Sequence, residues 1–227
     1  MSEARAASEV EIATGDGRCR SYVYRPAGRG PWPAVLVYMD GIGIRPAMLE
    51  VGERLASYGY LVLLPDLFYR SGPYAPMNAK TVFADPSQRK VLTERFLARA
   101  TPANVMTDTQ AFLAWLAAQP DVRPGSIGTT GYCLGGLMSL TAAGTYPDRI
   151  AATASYHAGR LATDAPDSPH ALAPRVRPRV YVAGAMEDAS WHGFVLRDTL
   201  TYDPAAAERH WSTLTELLSA TLGPGPG

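Results

Sequence analysis

The stretch Gly131-Tyr132-Cys133-Leu134-Gly135-Gly136 decides how the surrounding chain folds. A strand-like run at 126–130 precedes it, and an apolar run typical of a helix follows it at 137–143. A Gly-x-Cys-x-Gly turn between a strand and a helix predicts a nucleophile elbow with cysteine in place of serine. Because the chain reverses so sharply, side chains have no room two positions before or after the nucleophile, which explains Gly131 and Gly135.

Cys133 is expected at the N-terminus of the helix that follows the turn. The helix dipole and the free N–H groups there favour a thiolate and a developing oxyanion, and the Leu134 N–H would be one oxyanion donor. The alternative interpretation is a buried and unreactive cysteine in a glycine-rich turn, because free cysteine is among the most buried residue types.

Length and composition point to an ordinary globular chain. It has 227 residues, of which 47% are hydrophobic and 19% are charged. Lys and Arg number 21, as do Asp and Glu, so the net charge of zero indicates neither a nucleic acid nor an anionic membrane as partner. No window is apolar enough for a transmembrane helix, and residues 1–7 lack the apolar core of a signal peptide. We therefore expect a single domain over residues 1–227, located in the cytoplasm.

Cysteine and histidine usage argues against a metal site. Cys19 and Cys133 are the two cysteines, too few for a disulfide scaffold or a metal cluster, and Cys19 is interpreted as structural. The four histidines form no His-x-x-x-His pair, and no Cys-x-x-Cys pair occurs. The sequence thus predicts no metal.

Strands and helices alternate along the chain. Alternating apolar and polar residues around Gly15-Asp16-Gly17 predict an edge hairpin, and runs that are apolar on both faces predict buried strands. The expected strands are 10–14, 20–24, 34–39, 60–64, 126–130, 150–156 and 179–184. The expected helices are 46–58, 88–100, one from about 101, one after the elbow, and 204–222. This order indicates an α/β fold with a mostly parallel sheet between two helical layers, and a flexible tail at 223–227.

The elbow, together with Pro65-Asp66-Leu67 and His192-Gly193-Phe194, resembles the dienelactone hydrolase family of the α/β-hydrolase fold over residues 35–222. The resemblance implies hydrolysis of a small-molecule ester or lactone by a Cys-His-Asp triad through a thioester intermediate, without a cofactor. Cys133 would be the nucleophile, His192 the general base and Asp188 the group that orients the imidazole. Leu134 and Gly41 would supply the oxyanion N–H groups.

The resemblance also implies substrate-binding positions. Asp40 follows a buried strand where the family carries an acidic residue able to interact with the cysteine; its alternative role is that of a turn residue or helix cap. Arg197 resembles a family arginine that binds the substrate carboxylate, and its alternative is a solvated surface arginine.

Two further positions are candidates from the pattern itself. His157 follows the strand 150–156, at the sheet edge where sites of open α/β folds gather, and would line the pocket or replace His192; its alternative is a loop histidine bonded to backbone. Tyr69, Tyr74, Phe83 and Trp191 suggest an apolar pocket, although core packing explains such aromatic residues equally well.

The sequence departs from the family between Asp188 and His192, which are only four positions apart. Parallel neighbouring strands need a crossover of about a dozen residues. A helix-plus-strand unit is therefore expected to be missing, which would leave an exposed strand at the sheet edge. The alternative function is consequently a non-catalytic or impaired binding or dimerising protein, and the chain is expected to be a monomer or a homodimer.

Overall fold

The computed structural model describes residues 7–165, 167–184 and 193–223. Seven strands form one sheet. Their bounds are Ser8–Thr14 (β1), Gly17–Tyr24 (β2), Ala34–Tyr38 (β3), Leu61–Pro65 (β4), Ile127–Tyr132 (β5), Ile150–Tyr156 (β6) and Arg179–Ala183 (β7). The helices are Pro46–Ser57 (α1), Pro86–Val91 (α2), Pro102–Ala117 (α3), Leu134–Thr145 (α4) and Pro204–Leu222 (α5).

The sheet is mostly parallel, as predicted. Its strand order is β1-β2-β4-β3-β5-β6-β7. Strand β2 pairs antiparallel with both β1 and β4, and the remaining neighbours pair parallel. The hairpin of β1 and β2 turns at residues 15–16 and lies at one edge. The elbow strand β5 lies between β3 and β6, so Cys133 leaves the interior of the sheet at its carboxyl edge.

Adjacent residues of β5 reveal the two helical layers. A side chain added at Gly128 would meet Leu218 of α5 at 2.6 Å, whereas the Thr129 hydroxyl lies 2.9 Å from that of Ser139 in α4. Neighbouring residues of a strand point to opposite faces. Helices α4 and α5 therefore cover opposite faces of the sheet, which confirms the predicted layered α/β architecture.

The helix starts follow from local capping. Asp85 accepts hydrogen bonds from the N–H groups of Ser87 and Gln88, so α2 begins at Pro86, two residues before the predicted start. A wider π-helical turn at Leu92–Leu97 continues α2, where a single regular helix over 88–100 was predicted. Asp203 caps α5 in the same way as Asp85 caps α2.

The sheet ends at β7 within the described residues, because 193–223 contribute α5 but no further strand. Val180 and Val182 of β7 are 43% and 49% exposed. Residues 185–192, where the missing unit is predicted, lie outside the described part, as do 224–227 of the predicted tail. None of the described helices is long and apolar enough to span a membrane.

Candidate active site

Cys133 sits on a strained turn between β5 and α4. Its backbone has φ 55° and ψ −116°, a conformation that costs a non-glycine residue about 1–3 kcal/mol. A side chain at Gly131 would come within 2.0 Å of the Gly135 carbonyl oxygen, and one at Gly135 within 2.1 Å of the Tyr38 carbonyl oxygen. The turn therefore requires glycine at both positions, for the steric reason predicted.

The neighbours of β5 hold the elbow in place. The Cys133 N–H donates to the Tyr156 carbonyl of β6 at 2.9 Å. The Cys133 carbonyl in turn accepts from Gly136 and Leu137 at the start of α4. The sulfur consequently stands at the N-terminal end of a 12-residue helix, where the dipole favours a thiolate.

Gly41 and Leu134 lie directly beside Cys133. A Cβ on Gly41 would be 3.9 Å from Cys133 Sγ and 3.7 Å from the Leu134 Cβ. Within the described part of the chain, no protein acceptor takes the N–H of Gly41 or of Leu134. Two residues beside the sulfur thus carry backbone N–H groups that are candidates to bind an oxygen anion.

A cavity of about 400 Å³ opens above Cys133. Gly41, Cys133 and Leu134 are among the residues that line it. Six further lining residues are apolar: Phe83, Leu97, Ala100, Pro102, Leu137 and Pro169. Such a pocket fits a small, largely apolar molecule with one reactive polar group.

The Asp40 carboxylate binds an arginine. Its two oxygens accept from Arg45 at 2.7 and 2.8 Å, and Oδ1 also accepts from the Ile42 N–H at 2.9 Å. Arg45 is 2% exposed and reaches Asp198 as well. Although burial opposes its charge, the two carboxylates hold the pKa of Arg45 above its usual value. Asp40 thus acts as a turn residue, which is the alternative role considered for it, and Arg45 binds both of its carboxylate oxygens.

The structure describes only some of the remaining predicted residues. Asp188 and His192 lie outside the described residues. Arg197 is exposed and is not among the described lining residues of the cavity. The Tyr69 hydroxyl lies 2.9 Å from Asp108 and 2.7 Å from Thr14 of β1. It is therefore hydrogen-bonded near the β1–β2 hairpin.

His157 follows β6 as predicted and is 1% exposed. Its N–H donates to the Ala183 carbonyl at 2.7 Å, and its ring packs edge-on against Phe194. Of the predicted aromatic pocket, Phe83 lines the cavity, whereas the Tyr74 hydroxyl donates to Asp66 at 2.9 Å.

The sequence analysis did not single out two charged residues that line the cavity, Arg160 and Asp167. Arg160 has a left-handed backbone with φ 60°. It follows Gly159 and lies four positions after the end of β6, and this place near the carboxyl edge of the sheet was the signal in the sequence. Arg45 was also missed, although it stands five positions after Asp40 and immediately before the first proline of α1.

Cys19 lies in a more buried environment than Cys133. It is fully buried in β2, and its sulfur lies 3.5 Å from the Asp66 carbonyl oxygen. Burial raises the pKa of the Cys19 thiol to about 12. A structural role for Cys19 agrees with this environment.

A mostly parallel sheet with a cysteine elbow between β5 and α4 defines an α/β-hydrolase fold. The chain belongs to the dienelactone hydrolase family, whose family model matches residues 19–191. A carboxymethylenebutenolidase of Pseudomonas sp. is 35% identical over 131 residues, which are 58% of this chain and 52% of that protein. A protein of Methylorubrum extorquens is 30% identical over 158 residues, 70% of this chain and 50% of that protein. The chain thus spans about half the length of these two relatives.

Solved structures share the fold over nearly the whole chain. A dienelactone hydrolase-like promiscuous phosphotriesterase from metagenomic libraries superposes with a TM-score of 0.70 at 24% identity. The match covers 96% of this chain and 99% of that one. The predicted fold and family are therefore confirmed.

Proposed function

We propose that this protein hydrolyses small carboxylic esters or lactones with Cys133 as nucleophile. The observation that carries the proposal is the position of Cys133, at the N-terminus of α4 and beside Gly41 and Leu134. A carbonyl carbon bonded to this sulfur would direct its oxygen to those donors. The apolar cavity and the family both support a small ester or lactone substrate.

The proposed reaction has two halves. The Cys133 thiolate attacks the carbonyl carbon, the tetrahedral oxyanion collapses, and the alcohol or enol oxygen leaves with a proton from the His192 imidazolium. Water, deprotonated by His192, then attacks the thioester carbon and releases the carboxylic acid and the thiolate. Asp188 would hold the His192 ring, as the resemblance implies. No metal or cofactor takes part in these steps.

Hydrolysis of an activated phenyl ester and of a dienelactone tests the proposal. We expect turnover by the parent chain and none by Cys133→Ala or His192→Ala, with His170→Ala as the control. His170 is an exposed histidine whose Nδ1 lies 2.7 Å from the Ser168 hydroxyl. Wild-type turnover by Cys133→Ala would refute the assignment. If His192→Ala is fully active, another base acts, and His157→Ala becomes the next variant to measure.

The alternative is a binding or dimerising protein without hydrolase activity. The exposed Val180 and Val182 on the edge strand β7 favour this second candidate, because an uncovered strand edge pairs readily with another chain. Sedimentation equilibrium of the parent and of Val182→Lys distinguishes a homodimer from a monomer. A folded, inactive chain that dimerises through β7 would support the alternative.

A further inference from the structure

We propose that Arg45 is a positioning residue that holds the Gly41 N–H beside Cys133 and ties that loop to the segment following His192. The inference rests on the proposed function, because the Gly41 N–H is an oxyanion donor only in that reaction. Arg45 itself belongs neither to the triad nor to the oxyanion donors. It concerns the loop between β3 and α1, residues 39–45.

The loop is short, buried and held from inside by Arg45. The Arg45 guanidinium donates two hydrogen bonds to the Asp40 carboxylate, at 2.7 and 2.8 Å, and a third to the Gly43 carbonyl at 3.2 Å. Asp40 precedes Gly41, and Gly43 follows it by two positions. The guanidinium thus spans the turn that carries the Gly41 N–H.

A second restraint acts on the far side of the same loop. The Ile44 N–H donates to the Tyr74 hydroxyl at 3.0 Å, and this hydroxyl donates to Asp66 at 2.9 Å. The φ of Gly43 is 94°, and a side chain there would meet the Tyr74 hydroxyl at 2.8 Å. The loop is therefore held between Tyr74 on one side and Arg45 on the other. A change at Arg45 removes the hydrogen bonds on one of these sides.

Arg45 also connects the loop to a distant part of the chain. Its Nε and Nη2 donate to the Asp198 carboxylate at 2.5 and 3.2 Å. Asp198 lies in the segment 193–203, where Val195 and Leu196 are buried in the core. This segment begins one position after His192. One side chain therefore bridges the loop of the Gly41 N–H and the stretch next to the proposed base.

The chemistry requires the fork of an arginine. A guanidinium can bind two carboxylates and a carbonyl at fixed angles, whereas a lysine ammonium is a point charge on a flexible stem. Arg45→Lys keeps the positive charge beside the buried Asp40 and removes the fork. It is consequently a sharper test than removal of the charge, which would leave a buried carboxylate unpaired.

The matched control is Arg25→Lys. Arg25 pairs with Asp121 through its Nε at 2.6 Å, and both side chains are 25% exposed. Neither residue lines the cavity over Cys133 within the described part of the chain. The same substitution is thus made at a more exposed ion pair, away from the proposed site.

Three measurements are made on each protein: kcat and KM for an activated phenyl ester, and the rate of Cys133 alkylation by iodoacetamide. Alkylation forms no oxyanion at a carbonyl, so it reports the thiolate without the Gly41 N–H. For Arg45→Lys we expect kcat to fall at least about tenfold, with KM and the alkylation rate changed less than about threefold. Arg25→Lys should resemble the parent in all three.

Two outcomes overturn the inference. One is an unchanged kcat in Arg45→Lys, and the other is an equal fall of kcat and alkylation rate, which indicates damage to the nucleophile. If Arg45→Lys does not fold, Asp198→Asn replaces it, because Asp198 is 34% exposed and its loss leaves the Arg45–Asp40 pair in place. Because the bonds from Arg45 to Asp40 and Gly43 remain, Asp198→Asn tests the tie to the segment 193–203 alone. We expect kcat to fall about threefold with an unchanged alkylation rate, and an unchanged kcat overturns that tie.

Cys133→Ala, measured in the same assays, distinguishes failure of the proposed function from failure of the role assigned to Arg45. Full ester hydrolysis by Cys133→Ala refutes the proposed function and this inference together. Loss of hydrolysis in Cys133→Ala, combined with normal kcat in Arg45→Lys, refutes the role of Arg45 alone. A parent chain without hydrolysis overturns both.

Discussion

The Tyr132 hydroxyl lies 3.0 Å from Nε2 of His210, directly behind the elbow that carries Cys133. His210 belongs to α5 and is 4% exposed, with its ring 4.1 Å from that of Tyr156. Burial lowers the pKa of His210 to about 3, and the neighbouring His157 and Arg54 act in the same direction. The last helix of the chain is thus anchored to the elbow strand by an uncharged histidine.

This anchor predicts an acid-sensitive stability. In the unfolded chain a histidine binds its proton near pH 6.5, whereas folded His210 does so only near pH 3, so lowering the pH between these values favours unfolding. The contribution of His210 to the free energy of unfolding should fall by about 2 kcal/mol from about pH 7 to about pH 5. Urea denaturation of the parent and His210→Gln at both pH values measures this difference.

His170→Gln is the control for that experiment, because His170 is exposed. Its stability should follow the parent at both pH values. His210→Gln should be less pH-dependent than the parent, since glutamine does not titrate. Parallel curves for the parent and His210→Gln would contradict the prediction.

The elbow glycine Gly135 should tolerate no side chain. In Gly135→Ala the new methyl group would meet the Tyr38 and Met39 carbonyl oxygens at 2.1 and 2.5 Å, so β3 and α4 must move apart. We expect a loss of more than about 2 kcal/mol of unfolding free energy. Gly15→Ala is the control, because a side chain there meets nothing within 4 Å, and its effect should be below about 0.5 kcal/mol. Equal urea midpoints for the two variants would disprove the steric argument.

The two cysteines should label at very different rates. Cys133 lines the cavity at a helix N-terminus, whereas Cys19 is fully buried and its pKa is raised to about 12. Iodoacetamide should therefore modify one cysteine of the folded chain near pH 6, and peptide mass spectrometry should locate it at Cys133. Cys133→Ala should take up no label until urea exposes Cys19. Rapid labelling of Cys19 in the folded protein would overturn this expectation.

The buried carboxylate Asp108 should contribute more to stability than a surface carboxylate in a similar pair. Asp108 is fully buried and accepts from Arg70 at 2.6 and 2.8 Å and from Tyr69. Asp108→Ala leaves the Arg70 charge without this partner and should cost about 3–5 kcal/mol.

The comparison for Asp108 is Asp148→Ala. Asp148 pairs with Arg177 at 2.5 Å, but their side chains are 76% and 72% exposed. Its loss should cost about 0–1 kcal/mol, because water replaces the interaction. Chemical denaturation of both variants gives the two values, and a similar loss in both would contradict the assigned importance of burial.

Local patterns were enough to predict the architecture and the elbow turn at Cys133. Adjacent residues announce the strand–turn–helix around Cys133, since Gly131 is required by its contact with Gly135. Gly135 is itself required by the carbonyl oxygens of Tyr38 and Met39, at the end of β3. Buried strands such as β3 and β4 are apolar on both faces because helices cover the sheet on both sides. These features depend on short-range sterics and on hydrophobic periodicity, which can be read from the chain alone.

The partners of charged side chains depended on tertiary structure. Asp40 and Arg45 are five positions apart, but Asp198 joins them from 153 positions beyond Arg45. Arg160 reaches the cavity through a left-handed backbone that no residue pattern announces. Such contacts form only when the folded sheet brings the loops after β3 and β6 and the segment 193–203 together. The sequence by itself therefore determined the fold and the elbow turn that carries Cys133, whereas long-range packing decided which charges neutralise one another and which face the cavity.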